Sequence, residues 1–277
     1  MDAFQVLPET WVTNTHHTCV NCGARRSCLP AGLTVEERAH LDGALPPPQR
    51  VRRGAYLFRA GSDAKVLYAL HNGSMKGVVT DGEGREQITG FYFSGELLGM
   101  EGLAHGTHGC DAVALEDSQV CAIPYADLLK LSRTSIPSLV NVLSRMMSLE
   151  IGRGYGVMLL LGSMGAEQRL ATFLLGISRR LLARGYSPTE FVMRMTRHEI
   201  GSYLGLKLET VSRMFSLFQS RGIIASHGKD IRIVDPEKLN AIVVRDIDPH
   251  LGRHPFGEHA AVNARDPLAY SAAVTND

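Results

Sequence analysis

The chain has 277 residues, enough for two domains that each bury a core of their own. Its 29 basic and 28 acidic residues leave a formal charge of +1, so no global field draws it to nucleic acid or membrane and any basic patch is local. No run approaches the ~20 apolar residues of a membrane span, and the N-terminus has no basic segment followed by an apolar one; this predicts a cytoplasmic chain, whose clustered cysteines signal metal rather than disulfides.

Residues 1–32 read as irregular, with Pro8, Pro30 and Gly32 bracketing three thiols: Cys19, Cys22 and Cys28. Only Cys110 and Cys121 follow. Three thiols so close together converge only if something binds them, and soft thiolates select zinc, Cu(I) or an iron–sulfur cluster. Closing such a site takes a fourth ligand from far along the chain. His16 and His17 flank the loop and are read as solvated, with zinc ligation as their alternative.

Thr34 followed by Glu37 forms a capping box that opens a short helix to about Leu41, and Pro46-Pro47-Pro48 stops it. From about 50 to 123 the pattern changes to short strands at 55–59, 66–71, 73–80, 87–93, 110–115 and 118–123. Asp81-Gly82-Glu83-Gly84 marks a hairpin between two of them. Such spacing predicts a small β-barrel or jelly roll; Cys110, which matches no ligand position of the family named below, is read as a buried structural thiol.

A helix is expected over 125–134, and a long one from Pro137 to about Leu161. The long helix carries one apolar stripe at Val140, Leu143, Met147, Ile151, Met158 and Leu161, and another at Leu139, Val142, Met146, Leu149 and Leu160. Two stripes imply two partners, the β-domain and the same helix of a second subunit; the alternative is one helix buried in a large core. Gly152, Gly154 and Gly156 each cost about 1 kcal/mol relative to Ala in a helix interior, so the helix is locally weak there.

A helix over 166–184 leads to the last unit. Thr196 and Glu199 form another capping box, Gly205-Leu206 make a turn, and a second helix spans 209–220 with Val211, Met214, Phe215 and Phe218 inward. A hairpin over 223–226 and 231–234 completes a winged helix-turn-helix. Seven Lys/Arg against three acids over 194–233 give a local +4, the footprint of a DNA-binding module; the alternative is a hairpin used only for packing. Glu209, Ser212 and Arg213 share the exposed face of the second helix and are residue types that read base edges, with Arg197 and Lys207 as further contacts. Residues 245–277, rich in His, Pro, Ala and Asp without periodicity, predict a disordered tail.

The order of parts resembles the CRP/FNR superfamily over roughly residues 15–240, and its FNR-type branch in particular. The resemblance rests on C-x2-C-x5-C at Cys19, Cys22 and Cys28, on Cys121 before Ala-Ile-Pro, on Gln87-Ile88-Thr89-Gly90-Phe91 and Ser94-Gly95-Glu96-Leu97, and on Glu209-Thr210-Val211-Ser212-Arg213. It implies an α+β chain: a cysteine-rich segment 1–32, a β-roll 33–135 of the cyclic-nucleotide-binding type, a dimerisation helix 136–163 and a winged helix-turn-helix 164–244. It also implies a [4Fe–4S] cluster on Cys19, Cys22, Cys28 and Cys121, with structural Zn2+ as the alternative. In that family the cluster favours a homodimer on an inverted repeat with TTGAT half-sites, oxygen destroys the cluster, and loop 81–85 meets RNA polymerase.

Departures from the family pattern carry expectations of their own. A nucleotide pocket would use Gly95-Glu96 for the ribose, but residues 105–110 hold no arginine for the phosphate, so no cyclic nucleotide is expected. Lys207 replaces a capping Thr, which weakens that cap. Across Gly152–Gly156 the dimer helix lacks an acid, leaving Glu150 as the candidate for charge repulsion between cluster-free subunits. An enzyme finds no support: there is no nucleophile–base constellation, HExxH or P-loop.

Overall fold

The computed structural model describes residues 18–244. His16, His17 and the tail from residue 245, for which solvated histidines and disorder are expected, lie outside them.

The first helix, α1 (Val35–Ala44), starts on the capping box: Glu37 N donates to Thr34 Oγ1 at 3.2 Å and Thr34 N to Glu37 Oε2 at 2.9 Å. The second carboxylate oxygen of Glu37 accepts Ser138 N at 3.1 Å. Ser138 is the N-cap of the long helix, so one side chain ties the two helix starts together.

Two four-stranded sheets form the roll. One has the order β1 (Gln49–Val51), β8 (Ser118–Pro124), β3 (Val66–Asn72), β6 (Leu97–Leu98); the other β2 (Tyr56–Phe58), β7 (Asp111–Ala114), β4 (Ser74–Thr80), β5 (Glu86–Phe93). The strands β1 and β6 are too short, at three and two residues, to show a period of two in sequence. The β4–β5 turn forms as expected, with Asp81 Oδ1 accepting from Glu83 N (2.9 Å) and Arg85 N (3.0 Å). Alternation sorts β3 and β8 into two faces. Leu70 and Val120 point into the roll with Phe58 and Met75, while Leu67, Ala69 and Ile123 face α1 and the long helix.

Helix α2 (Tyr125–Thr134) leads to α3 (Leu139–Ser163), which runs unbroken through its glycines. Leu139, Val142, Leu143 and Met146 of α3 are buried against the roll together with Leu29, Leu33 and Leu41. Full burial of a Leu such as Leu41 or Leu139 contributes about 1.5–3 kcal/mol. Two positions differ from the predicted stripes. Leu143, placed on the outer stripe, is buried, because it lies four residues after Leu139 and three before Met146. Leu149, placed on the inner stripe, is 56 % exposed: the next contacts of α3 with the roll, Glu150 with Tyr92 and Arg153 with Glu96, are polar and lie to one side of it.

The C-terminal unit comprises α4 (Ala166–Leu182), β9 (Glu190–Val192), α5 (Arg197–Leu204), α6 (Leu208–Ser220), the wing β10 (Ile224–His227) and β11 (Asp230–Ile233), and α7 (Pro236–Val244). The wing has a third strand, in the order β10-β11-β9. The last helix, α7, lies where the sequence reading places no element; Asp235-Pro236 starts it, with Asp235 Oδ1 accepting Lys238 N at 2.9 Å. The core of this unit includes Phe215, Phe218 and Leu239, and it continues into the roll through Val78, Ile88 and Phe91.

The cap on α5 carries a prediction. Glu199 N donates to Thr196 Oγ1 at 3.2 Å, so Thr196→Ala should lower unfolding stability by about 1 kcal/mol. An unchanged midpoint in urea denaturation would show that the cap contributes nothing.

Candidate metal centre and DNA-binding surface

Cys19, Cys22, Cys28 and Cys121 line one pocket with Ala24, Leu29, Leu45, Ala69, His71 and Ile123. Local structure places each thiol. The loop folds through short turns, with Arg25 N donating to Cys22 O at 3.1 Å and Cys28 N to Ala24 O at 3.0 Å. Leu29 and Leu33 anchor its far end in the core beneath α3. At its near end Cys19 N donates to Asp42 Oδ1 on α1. Cys121 arrives from β8, opposite Ala69 of β3, on the face that alternation turns toward the loop. Cys22 Sγ lies 3.3 Å from His71 Nδ1 and accepts Ala24 N at 3.4 Å.

Burial pushes the Cys28 thiol up to about 12, with Cys121 and Cys22 adding repulsion after the opposing Leu29 amide. Burial also pushes Cys121 up to about 11, with Cys22 beside it. Cys19 is raised further, first by burial and then by Asp42. Four thiols in one apolar pocket, three of them disfavoured as thiolates by burial, form a donor set that suits a soft cationic centre. The residues fit an iron–sulfur cluster by donor chemistry. Among the described residues no three His, Cys, Asp or Glu side chains converge at the spacing of ligands to a single ion. Cys110 stands apart, half-buried, its thiol 3.8 Å from Glu101 Oε1 and pushed up to about 12 by burial and that carboxylate.

In the C-terminal unit, Gly205 (φ 61°) makes the turn between α5 and α6. Val211, Phe215 and Phe218 bury one face of α6, leaving Glu209, Ser212 and Arg213 exposed on the other. Lys207 is the N-cap of α6, exposed and without a side-chain capping bond. Among the described residues none of these four has an ion pair or side-chain hydrogen bond. Arg197 is placed differently: its guanidinium stacks 3.1 Å from the centre of the Phe215 ring, and burial pulls its pKa down to about 10, so it remains a cation.

Along α3, Val140, Met147, Ile151 and Met158 stand 43–61 % exposed on one stripe. Glu150 is paired within its own chain, to Arg153 at 2.7 Å and to Tyr92 Oη at 3.3 Å. Glu96, the acid of the would-be ribose site, is buried and bound by Arg180 and Arg184 of the α4 end, with Arg153 at 3.6 Å. Burial raises its carboxyl, but Arg180, Arg153 and Arg184 outweigh that and hold it at about 2. Sequence reasoning missed these arginines because they lie more than 50 residues away in the chain, and no local motif marks them.

A β-roll, a long helix with an exposed apolar stripe and a winged helix-turn-helix whose second helix has an exposed polar face define a DNA-binding transcriptional regulator, not an enzyme. Residues 168–242 match the Crp-like helix-turn-helix domain, and residues 48–135 the cyclic nucleotide-binding domain. The chain is 42 % identical to the transcriptional regulatory protein btr of Bordetella pertussis, over 81 % of this chain and 93 % of that protein. It is 41 % identical to the transcriptional activator protein anr of Pseudomonas aeruginosa, over 81 % and 91 %. To the fumarate and nitrate reduction regulatory protein of Escherichia coli it is also 41 % identical, over 80 % and 88 %. The solved structure of FixK2 from Bradyrhizobium japonicum superposes with a TM-score of 0.65 at 29 % identity, covering 71 % of this chain and 96 % of that one. The chain belongs to the CRP/FNR family of transcriptional regulators.

Proposed function

We propose that this regulator senses oxygen or redox state through a [4Fe–4S] cluster held by Cys19, Cys22, Cys28 and Cys121, and binds an inverted repeat as a homodimer when the cluster is intact. The observation that carries the reading is the four-thiol pocket where the loop, the end of α1, β3 and β8 meet, with Cys19, Cys28 and Cys121 packed against the core cluster that includes the buried stripe of α3. Bound there, the cluster would supply four metal–thiolate tethers and a centre that oxygen attacks. The chain's own residues do the rest. Leu29 and Leu33 carry the loop's position to α3, and Glu37 links α1 to the start of the same helix. A loop held in place thereby favours one arrangement of the long helix.

Support for the dimer is the exposed stripe of Val140, Met147, Ile151 and Met158, with Leu143 beneath it and Glu150 at its edge. Ile151→Glu should raise the dimer dissociation constant at least roughly tenfold, since apolar centres dominate such interfaces. Unchanged sedimentation behaviour would put the interface elsewhere. Glu209, Ser212 and Arg213 would read bases, while Lys207 and the part-buried Arg197 meet phosphates. Glu96, engaged by arginines, is not available to a ribose, so the roll is read as a nucleotide-independent sensor. The exposed 81–85 turn is the proposed RNA polymerase contact. A cytoplasmic location is part of this reading, since the protein would act on DNA; no described helix is long and apolar enough to cross a membrane.

The deciding experiment is a visible spectrum with iron and sulfide analysis on anaerobically purified protein, repeated in air. About four iron and four sulfide per chain, with colour that bleaches in air, supports the sensor. A colourless chain with one zinc would leave a DNA-binding regulator with a structural metal.

A further inference from the structure

The turn at residues 93–96, between β5 and β6, touches the cysteine loop on one side and the DNA-binding unit on the other. Gly95 has a φ of +89°, and a Cβ there would lie 2.2 Å from Ser27 Oγ, the residue next to Cys28. Gly95 N donates to Leu70 O at 2.7 Å, and Ser94 Oγ to His71 O at 2.8 Å, so the turn is stitched to the strand that lines the thiol pocket.

Its other side holds the DNA-binding unit. Glu96 Oε1 accepts Arg180 Nε at 3.0 Å and Arg184 Nη2 at 2.6 Å. Arg180 also donates to Glu96 Oε2 and to Phe91 O, and Arg184 Nε to Ser94 O at 2.6 Å. The Arg180 guanidinium lies 4.3 Å from the centre of the Phe93 ring. Arg153 brings the dimer helix to the same carboxylate. Further along the hairpin, Lys76 pairs with Glu199 of α5 at 2.8 Å, and Ile88 N donates to Ser202 Oγ at 2.9 Å. The Phe91, Phe173 and Tyr203 rings pack across the same boundary.

We propose that the 93–96 turn is the coupling element between the cysteine loop and the helix-turn-helix, with Glu96 a positioning residue that fixes α4 through Arg180 and Arg184. This rests on the cluster reading above and extends it from the dimer helix to the DNA-binding unit. A loop seated on Gly95 holds the turn, and the turn holds the helix from which α5 and α6 are hung. A displaced loop frees Gly95 and with it the arginine clamp. The acid that a nucleotide-binding roll would spend on a ligand is here spent on the domain joint.

Glu96→Gln keeps the shape of the side chain and removes its charge; Arg180→Gln cuts the clamp from the more exposed of the two arginines, 25 % against 7 %, and serves if the first variant does not fold. For each, DNA affinity is measured anaerobically and after air, together with iron content and hydrogen exchange of the α4 amides. Expected is wild-type iron content, faster exchange at the C-terminal end of α4, and anaerobic DNA affinity roughly tenfold weaker, close to the air-exposed value. Anaerobic DNA affinity equal to wild type would overturn the proposal. So would loss of iron along with DNA binding, which would place Glu96 inside the metal site. If the wild type carries no cluster, the sensor reading fails by itself. The exchange and affinity of the metal-free variants then decide the clamp: no change from wild type overturns it.

Discussion

Cys22→Ser is expected to yield a colourless chain with little bound iron, whose DNA binding no longer distinguishes anaerobic from aerated samples. The cluster needs four soft ligands, and a serine oxygen is harder and far less acidic than a thiol. Cys22 is prepositioned, with the Ala24 amide and His71 on its sulfur, contacts that a serine hydroxyl can retain in part. Thermal melting of the metal-free chain should therefore shift by no more than about 1 kcal/mol, the net contribution of a hydrogen bond. Cys110→Ser is the paired control and should keep the full spectrum, since that thiol faces Glu101 rather than the pocket. An unchanged spectrum for Cys22→Ser would remove it from the ligand set.

Arg213→Ala should weaken binding to the preferred site by roughly 1–3 kcal/mol and relax selectivity at one base pair. The side chain is exposed on the bare face of α6 and takes part in no ion pair among the described residues, so its removal costs the fold little. Titration against the preferred site, single-base variants and random DNA separates the outcomes. Loss confined to the preferred site marks a base contact. Equal weakening on all three, with a shallower salt dependence, would make Arg213 a phosphate contact.

Local chemistry made much of this protein readable. The capping boxes at Thr34 and Thr196 form as their spacing predicts, because each involves only residues three apart. The strands of the roll, the Gly205 turn and the buried face of α6 follow from periodicity and from glycine's access to a left-handed backbone. The same logic failed at β1 and β6, strands of three and two residues, and at Leu149, which polar contacts of α3 with the roll leave exposed. The cysteine spacing pointed to a metal site, but nothing in the sequence placed His71 against Cys22 or Asp42 against Cys19.

What the sequence determined by itself is the set of parts: a thiol loop, a roll, a two-striped helix and a basic winged helix, each legible because its signal lies within one turn or one hairpin. What only the tertiary structure decided is how the parts are joined. Gly95-Glu96 reads locally as a ribose site, yet its carboxylate closes on Arg180 and Arg184, more than 80 residues away. A buried charge is satisfied by whichever opposite charge the packed chain brings within reach, and that choice belongs to the folded whole rather than to any local pattern.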